Sequence, residues 1–175
     1  EAFSSPHYRP MSRGIALEGM RLVQDYLPRA YGDGQDIEAR AQMMSAAMMG
    51  ATAFQKGLGT IHAMSHPIGA MFGTHHGTTN AVCMPAVLDF NAPAIAPRFD
   101  QAAAYLGIVG GFDGFCRFVQ DLNDGLGIPR KLAELGVTTE PLEAFISGAL
   151  DDPSCGGNPR PLTHTALRDL FVAVI

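Results

Sequence analysis

The stretch Leu58–Asn91, LGTIHAMSHPIGAMFGTHHGTTNAVCMPAVLDFN, decides the reading of this chain. Four of the six histidines, His62, His66, His75 and His76, fall inside fifteen residues of it. The apolar positions around His62 and His66 recur at helical spacing, and these two histidines are four apart. On a helix they share one face, one turn above the other. His76 follows after a short Gly-containing segment and can fold back toward that face. Imidazole is the commonest metal ligand and a common acid/base group near neutral pH, so a cluster this dense marks a candidate site.

The rest of the chain reads as helix as well. From Ser12 to about Tyr31 the positions Ile15, Leu17, Met20, Leu22, Val23, Tyr26 and Leu27 follow helical spacing, with Ser12 as the expected N-cap. Gly32-Asp33-Gly34 breaks this pattern. Asp36 is placed to cap a helix to about Gln55. Its Ala and Met on nearly every side predict a central helix packed by neighbours. Helices are expected over Thr60–Phe72, with a kink at Pro67, and over His76–Asn91. Further helices are expected at Pro97–Leu106, Asp113–Leu126, Pro129–Leu135, Pro141–Leu150 and Thr163–Val174. Period-two alternation over strand length is scarce, so the expected architecture is an all-α bundle of about eight helices in one domain spanning residues 1–175. There is no GxGxxG turn and no P-loop.

Composition limits the partners. A chain of 175 residues with 47% hydrophobic and 17% charged residues is globular. The net charge of −5 disfavours nucleic acid, which calls for clustered Lys and Arg. No apolar run approaches the ~20 residues of a membrane span. Cys83, Cys116 and Cys155 form neither a CxxC pair nor a disulfide framework, which fits a reducing cytoplasm. Cys83, among Val82, Met84 and Ala86, reads as a buried, inert thiol.

By spacing alone, His62, His66 and His76 are either hydrogen-bonded helix histidines or part of a metal site that lacks an acidic partner. HExxH is absent, because Ala63 and Met64 follow His62. A metal site normally takes three or four protein ligands. The nearest acidic residues in sequence, Glu38 and Asp89, have no evident reason to join.

The segment also resembles the signature of the iron-containing (group III) alcohol dehydrogenases. That pattern, Gly-x-x-His-x-x-x-His-x-x-Gly followed by His-Gly, Asn-Ala, Pro and Asn, is matched by Gly59, His62, His66, Gly69, His76-Gly77, Asn80-Ala81, Pro85 and Asn91. Ala39, Arg40 and Met43 resemble the long helix before the signature. Asp151 to Pro161 resembles the loop before the last helix.

The resemblance implies the all-helical C-terminal domain of a dehydroquinate synthase-like fold. An α/β NAD(P)-binding domain would precede it in the parent protein. It implies His62 and His76 as metal ligands, with iron(II) the expected metal and zinc(II) the other candidate. An Asp and a His four residues apart, just upstream, would complete the set. Glu1-Ala2-Phe3 matches the Glu-Ala-Phe or Glu-Ala-Tyr that typically follows that pair. This chain is therefore expected to carry half of the metal site and to be inactive alone. His66 resembles the histidine beside the nicotinamide and substrate, which implies both a proton-relay and a cofactor-binding role. His75 is expected to be a non-ligand neighbour.

The implied reaction is NAD(P)-linked oxidoreduction of a small alcohol or aldehyde, with the metal polarising the substrate oxygen. A homodimer is compatible with it. Two alternatives stay open: a metal-independent relative of the maleylacetate reductase type, and a stand-alone helical module without catalysis. Core packing is expected for Phe54, surface positions for His7 and His164. Asn158 and Arg160 are expected to cap the last helix or close an interdomain contact.

Overall fold

The computed structural model describes all of residues 1–175. Seven α-helices follow one another: α1 (Pro10–Gly32), α2 (Ile37–Ala53), α3 (Thr60–Phe72), α4 (His76–Tyr105), α5 (Gly111–Gly125), α6 (Leu142–Asp151) and α7 (His164–Val174). Short 3-10 turns lie at Phe54–Lys56, Leu132–Leu135 and Pro153–Gly157, and there is no strand. The all-α class is as expected, with seven helices in place of about eight.

The differences have local causes. α1 begins at Pro10, not after Ser12, because Pro at the first helical position needs no N–H partner. Asp36 caps α2 as expected, accepting from Ala39 N at 2.9 Å. The two helices expected over 76–91 and 97–106 are one helix, α4, which runs through Pro85, Pro93 and Pro97. Pro93 and Pro97 lie on its exposed side, where water can serve the carbonyls they leave unpaired. Ile95, Phe99, Ala102 and Ala103 on the opposite side are buried and hold the helix to α5. Pro129–Leu135 shortens to the 3-10 turn Leu132–Leu135. There the Glu134 carboxylate accepts from Arg130 N and Lys131 N, and Gly136 at φ 81° ends the turn.

At 30 residues, α4 is about 45 Å long and serves as the spine. Its first half packs with α3, α6 and α7 around Met64, Ile68, Val87, Phe145, Leu167 and Phe171. Its second half packs with α5 and α1 around Phe3, Ile95, Phe99, Phe112 and Phe115. The expectation of a central α2 is corrected. This helix lies on α1 and on the 54–56 turn, and Ile37, Met44 and Met48 remain exposed. No helix is long and apolar enough to cross a membrane.

Candidate metal centre

The site is built where the N-terminus of α3 meets that of α4. Gly59, just before α3, offers no side-chain cap, and two distant residues supply caps instead. Asn158 Oδ1 accepts from Thr60 N at 3.2 Å, and Glu1 Oε1 accepts from Ile61 N at 2.7 Å. A Cβ on Gly59 would stand 2.9 Å from Asn158 Oδ1 and 3.2 Å from Glu1 Oε1, so glycine is required there by close approach. Asn158 is held by a reciprocal amide pair with Asn91, both bonds at 2.9 Å. Asn158 therefore caps α3, not the last helix. Thr163 caps α7 through Ala166 N. Arg160 donates to Phe90 O and stacks over the Phe90 ring at 4.2 Å.

Glu1 is fixed from below. Lys56 donates to Ser5 O at 2.6 Å and Arg98 to Ser5 O at 2.7 Å and Ser4 O at 2.8 Å, while Phe3 packs edge-on to Phe99. Burial pushes the Lys56 ammonium down to about 8.

α3 turns its apolar side, Ile61, Met64 and Ile68, into the core and leaves His62 and His66 together on the other face. His76, in the first turn of α4, completes a triangle of imidazoles. The ring centroids lie 5.6 Å apart for His62 and His66, 5.1 Å for His62 and His76, and 5.6 Å for His66 and His76. His75 is the N-cap of α4, its Nδ1 accepting from Thr78 N at 3.3 Å, and so belongs to the helix end.

Each of the first two imidazoles is held by a carboxylate. Glu1 Oε2 binds His62 Nδ1, and Asp152 Oδ2 binds His66 Nδ1 at 2.7 Å. The Glu1 side chain is only 7% exposed. Burial opposes its ionisation. The hydrogen bond with His62 and the one from the Ile61 amide work against that, and the carboxyl is held below its ordinary range. Asp152 behaves alike: burial raises it, and the His66 and Ser154 hydrogen bonds bring it below its ordinary range. His76 is held below its ordinary value, first by burial and then by the neighbouring imidazoles.

The Asn80 amide nitrogen lies 3.4 Å from His62 Nε2 and 3.0 Å from His76 Nε2, so the two ring nitrogens converge on one point. The amide donates to both, which makes both Nε2 atoms acceptors. Its own Oδ1 is buried without a partner. With Nδ1–H of His62 directed at Glu1, the lone pair of that ring is on Nε2, the nitrogen that faces Asn80. A carboxylate behind a ligating imidazole is the usual support of a metal-binding histidine. The donor set thus fits a divalent metal but is partial. No three His, Cys, Asp or Glu side chains gather to enclose an ion.

Sequence reasoning brought His62, His66 and His76 forward, and the structure unites them. It missed Glu1 and Asp152 as imidazole partners, because they lie 61 and 86 residues from the histidines they hold. Asn80 carried a signal as part of the motif, though not its position between two rings. His7 is exposed, and His164, also exposed, pairs with Glu143 at 2.8 Å. Cys83 is buried, its thiol pushed up to about 12 by burial. Phe54, expected in the core, is about half exposed.

Comparison with known proteins adds the lineage. The model of the Fe-containing alcohol dehydrogenase family, C-terminal, matches residues 1–175. The 4-hydroxybutyrate dehydrogenase of Cupriavidus necator is 43% identical over 98% of this chain and 47% of its own length. The NAD-dependent methanol dehydrogenase of Bacillus methanolicus is 36% identical over 93% of this chain and 45% of its own. The crystal structure of a 1,3-propanediol oxidoreductase superposes with a TM-score of 0.95 at 28% identity, covering 100% of this chain and 48% of that one. The chain spans about half the length of these relatives. It belongs to the Fe-containing alcohol dehydrogenase family and corresponds to that family's C-terminal, all-helical part.

Proposed function

We propose that this chain is the metal-side half of a divalent-metal-dependent, NAD(P)-linked alcohol dehydrogenase acting on a small alcohol or aldehyde. The observation that carries the reading is the convergence of His62 Nε2 and His76 Nε2 on one point, with Glu1 fixing the tautomer of His62. Two imidazoles leave room for further ligands from a preceding segment and for substrate. Iron(II) is the first candidate and zinc(II) the second, since imidazole suits both. Bound there, the metal supplies Lewis acidity to the substrate oxygen.

The chain's own residues do the remaining work on this side. His62 and His76 would hold the ion. Glu1 orients His62 and neutralises part of the charge. His66, whose side chain is 44% exposed, is open to solvent and would exchange the hydroxyl proton with it, beside a bound nicotinamide. The cofactor itself is held mainly by the preceding half of the protein. The substrates for which two relatives are named, 4-hydroxybutyrate and methanol, support a small substrate.

The test is an NAD(P)-linked assay on the full-length protein with short primary alcohols, before and after chelation. Activity that is lost on chelation and restored by iron(II) or zinc(II) supports the proposal. Turnover indifferent to chelation points to the metal-independent relative, and no turnover in the metal-loaded protein removes the enzymatic reading.

A further inference from the structure

We propose that Asp152 is a positioning residue for proton transfer, locking His66 in the tautomer that carries its proton on Nδ1. This leaves the Nε2 lone pair as the one proton-accepting atom of that ring. The inference rests on the dehydrogenase reading above and names a residue through which its proton step is set.

Asp152 ends the α6 segment and comes to His66 from 86 residues away. Its side chain is 11% exposed, whereas that of His66 is 44% exposed. Both carboxylate oxygens are committed as acceptors. Oδ2 takes the His66 Nδ1 proton at 2.7 Å, and Oδ1 takes Ser154 N–H at 2.7 Å. The Asp152 carbonyl also accepts from Cys155 N at 3.0 Å, so backbone and side chain are anchored to the same turn. A carboxylate held this way cannot swing aside, and it offers no proton of its own to Nδ1. The His66 Nε2 atom has no protein hydrogen-bond partner, and it lies on the far side of the ring from Asp152.

During alcohol oxidation the hydroxyl proton passes to His66 Nε2. The hydride leaves the same carbon for an oxidised nicotinamide dinucleotide, and the carbon becomes a carbonyl. His66 becomes an imidazolium that keeps its Nδ1–H on Asp152 and returns the new proton to solvent from Nε2. Asp152 itself gains and loses nothing.

The variant Asp152→Asn separates this role from simple capping of the Pro153–Gly157 turn. An amide has one acceptor oxygen where the carboxylate has two. If that oxygen keeps the Ser154 cap, the NH2 group faces His66 Nδ1 and drives the ring proton to Nε2. A capping role alone is therefore preserved in this variant, while the tautomer is reversed. In the zinc-loaded full-length protein, the 15N resonances of His66, assigned by their loss in His66→Ala, should report Nδ1–H in the parent and Nε2–H in Asp152→Asn.

With turnover as the readout, kcat should fall by ~10². KM should stay within about threefold, since the lost interaction belongs to the transition state. In a His66→Ala background, Asp152→Asn should cost nothing further. An unchanged tautomer in Asp152→Asn, an unchanged kcat, or a full additional loss in the His66→Ala background overturns the positioning role. Absence of alcohol turnover in the parent protein instead sinks the dehydrogenase reading, and the tautomer measurement still decides what Asp152 does to His66.

Discussion

Glu1 places one oxygen on the Ile61 amide and the other on His62 Nδ1, so one carboxylate both caps α3 and sets a ring tautomer. Glutamine cannot do both. With its amide oxygen on Ile61 N, its NH2 group meets His62 Nδ1, and the ring proton moves to the nitrogen that should face the metal. Glu1→Gln in the full-length protein should weaken zinc binding about 10–100-fold, the usual effect of losing the support behind a ligand. Equilibrium dialysis reads this, and unchanged affinity would show that Glu1 is only a helix cap. Such roles were not legible in the sequence. Glu1 is one of 17 acidic residues, and only the folding of the first residues onto Lys56 and Arg98 brings it to His62. The histidines themselves were legible, because an i, i+4 pair lies on one helix face whatever the rest of the chain does.

At the level of elements, periodicity located most helices and misjudged two kinds of feature. It split α4 at Pro93 and Pro97, because prolines on a solvent-facing side interrupt fewer buried hydrogen bonds than the sequence suggests. It also buried α2, because Ala and Met all round a helix signal neighbours that this chain does not supply beyond α1 and the 54–56 turn. The packing of α6 is firmer. Phe145 is fully buried, stacked on Phe171 at 5.5 Å and tilted against Phe72 at 5.9 Å. Phe145→Ala should cost ~3–5 kcal/mol in urea unfolding, the range for an aromatic truncated in a core. A loss under about 1 kcal/mol would mean that this core collapses around the gap.

Across the whole molecule, α4 joins two apolar clusters, and the site lies where its first turn meets that of α3. The titrating groups there tie stability to acid. His76 is held below its ordinary 6.5, so the unfolded chain takes up that proton first and stability falls as the pH drops below that value. Glu1 and Asp152 are held below their ordinary 4.5 and 3.8. Their contribution is present above those values and is lost as the pH falls through the lower folded ones. The melting temperature of the metal-stripped protein should therefore decline in two stages as the pH falls from 8 to 3, first below the histidine range and again through the carboxylate range, and a flat profile over that span would contradict these shifts. The class of fold could be read from the sequence, as could the three imidazoles, because both follow from local spacing and a dense motif. The carboxylates behind the rings could not, because tertiary packing alone chooses them. The most direct measurement is the metal content of the full-length protein and of its His62→Ala variant, by elemental analysis beside NAD(P) binding. The parent should hold about one divalent ion per chain and the variant little, with cofactor binding nearly unchanged. Full metal retention in His62→Ala would contradict this.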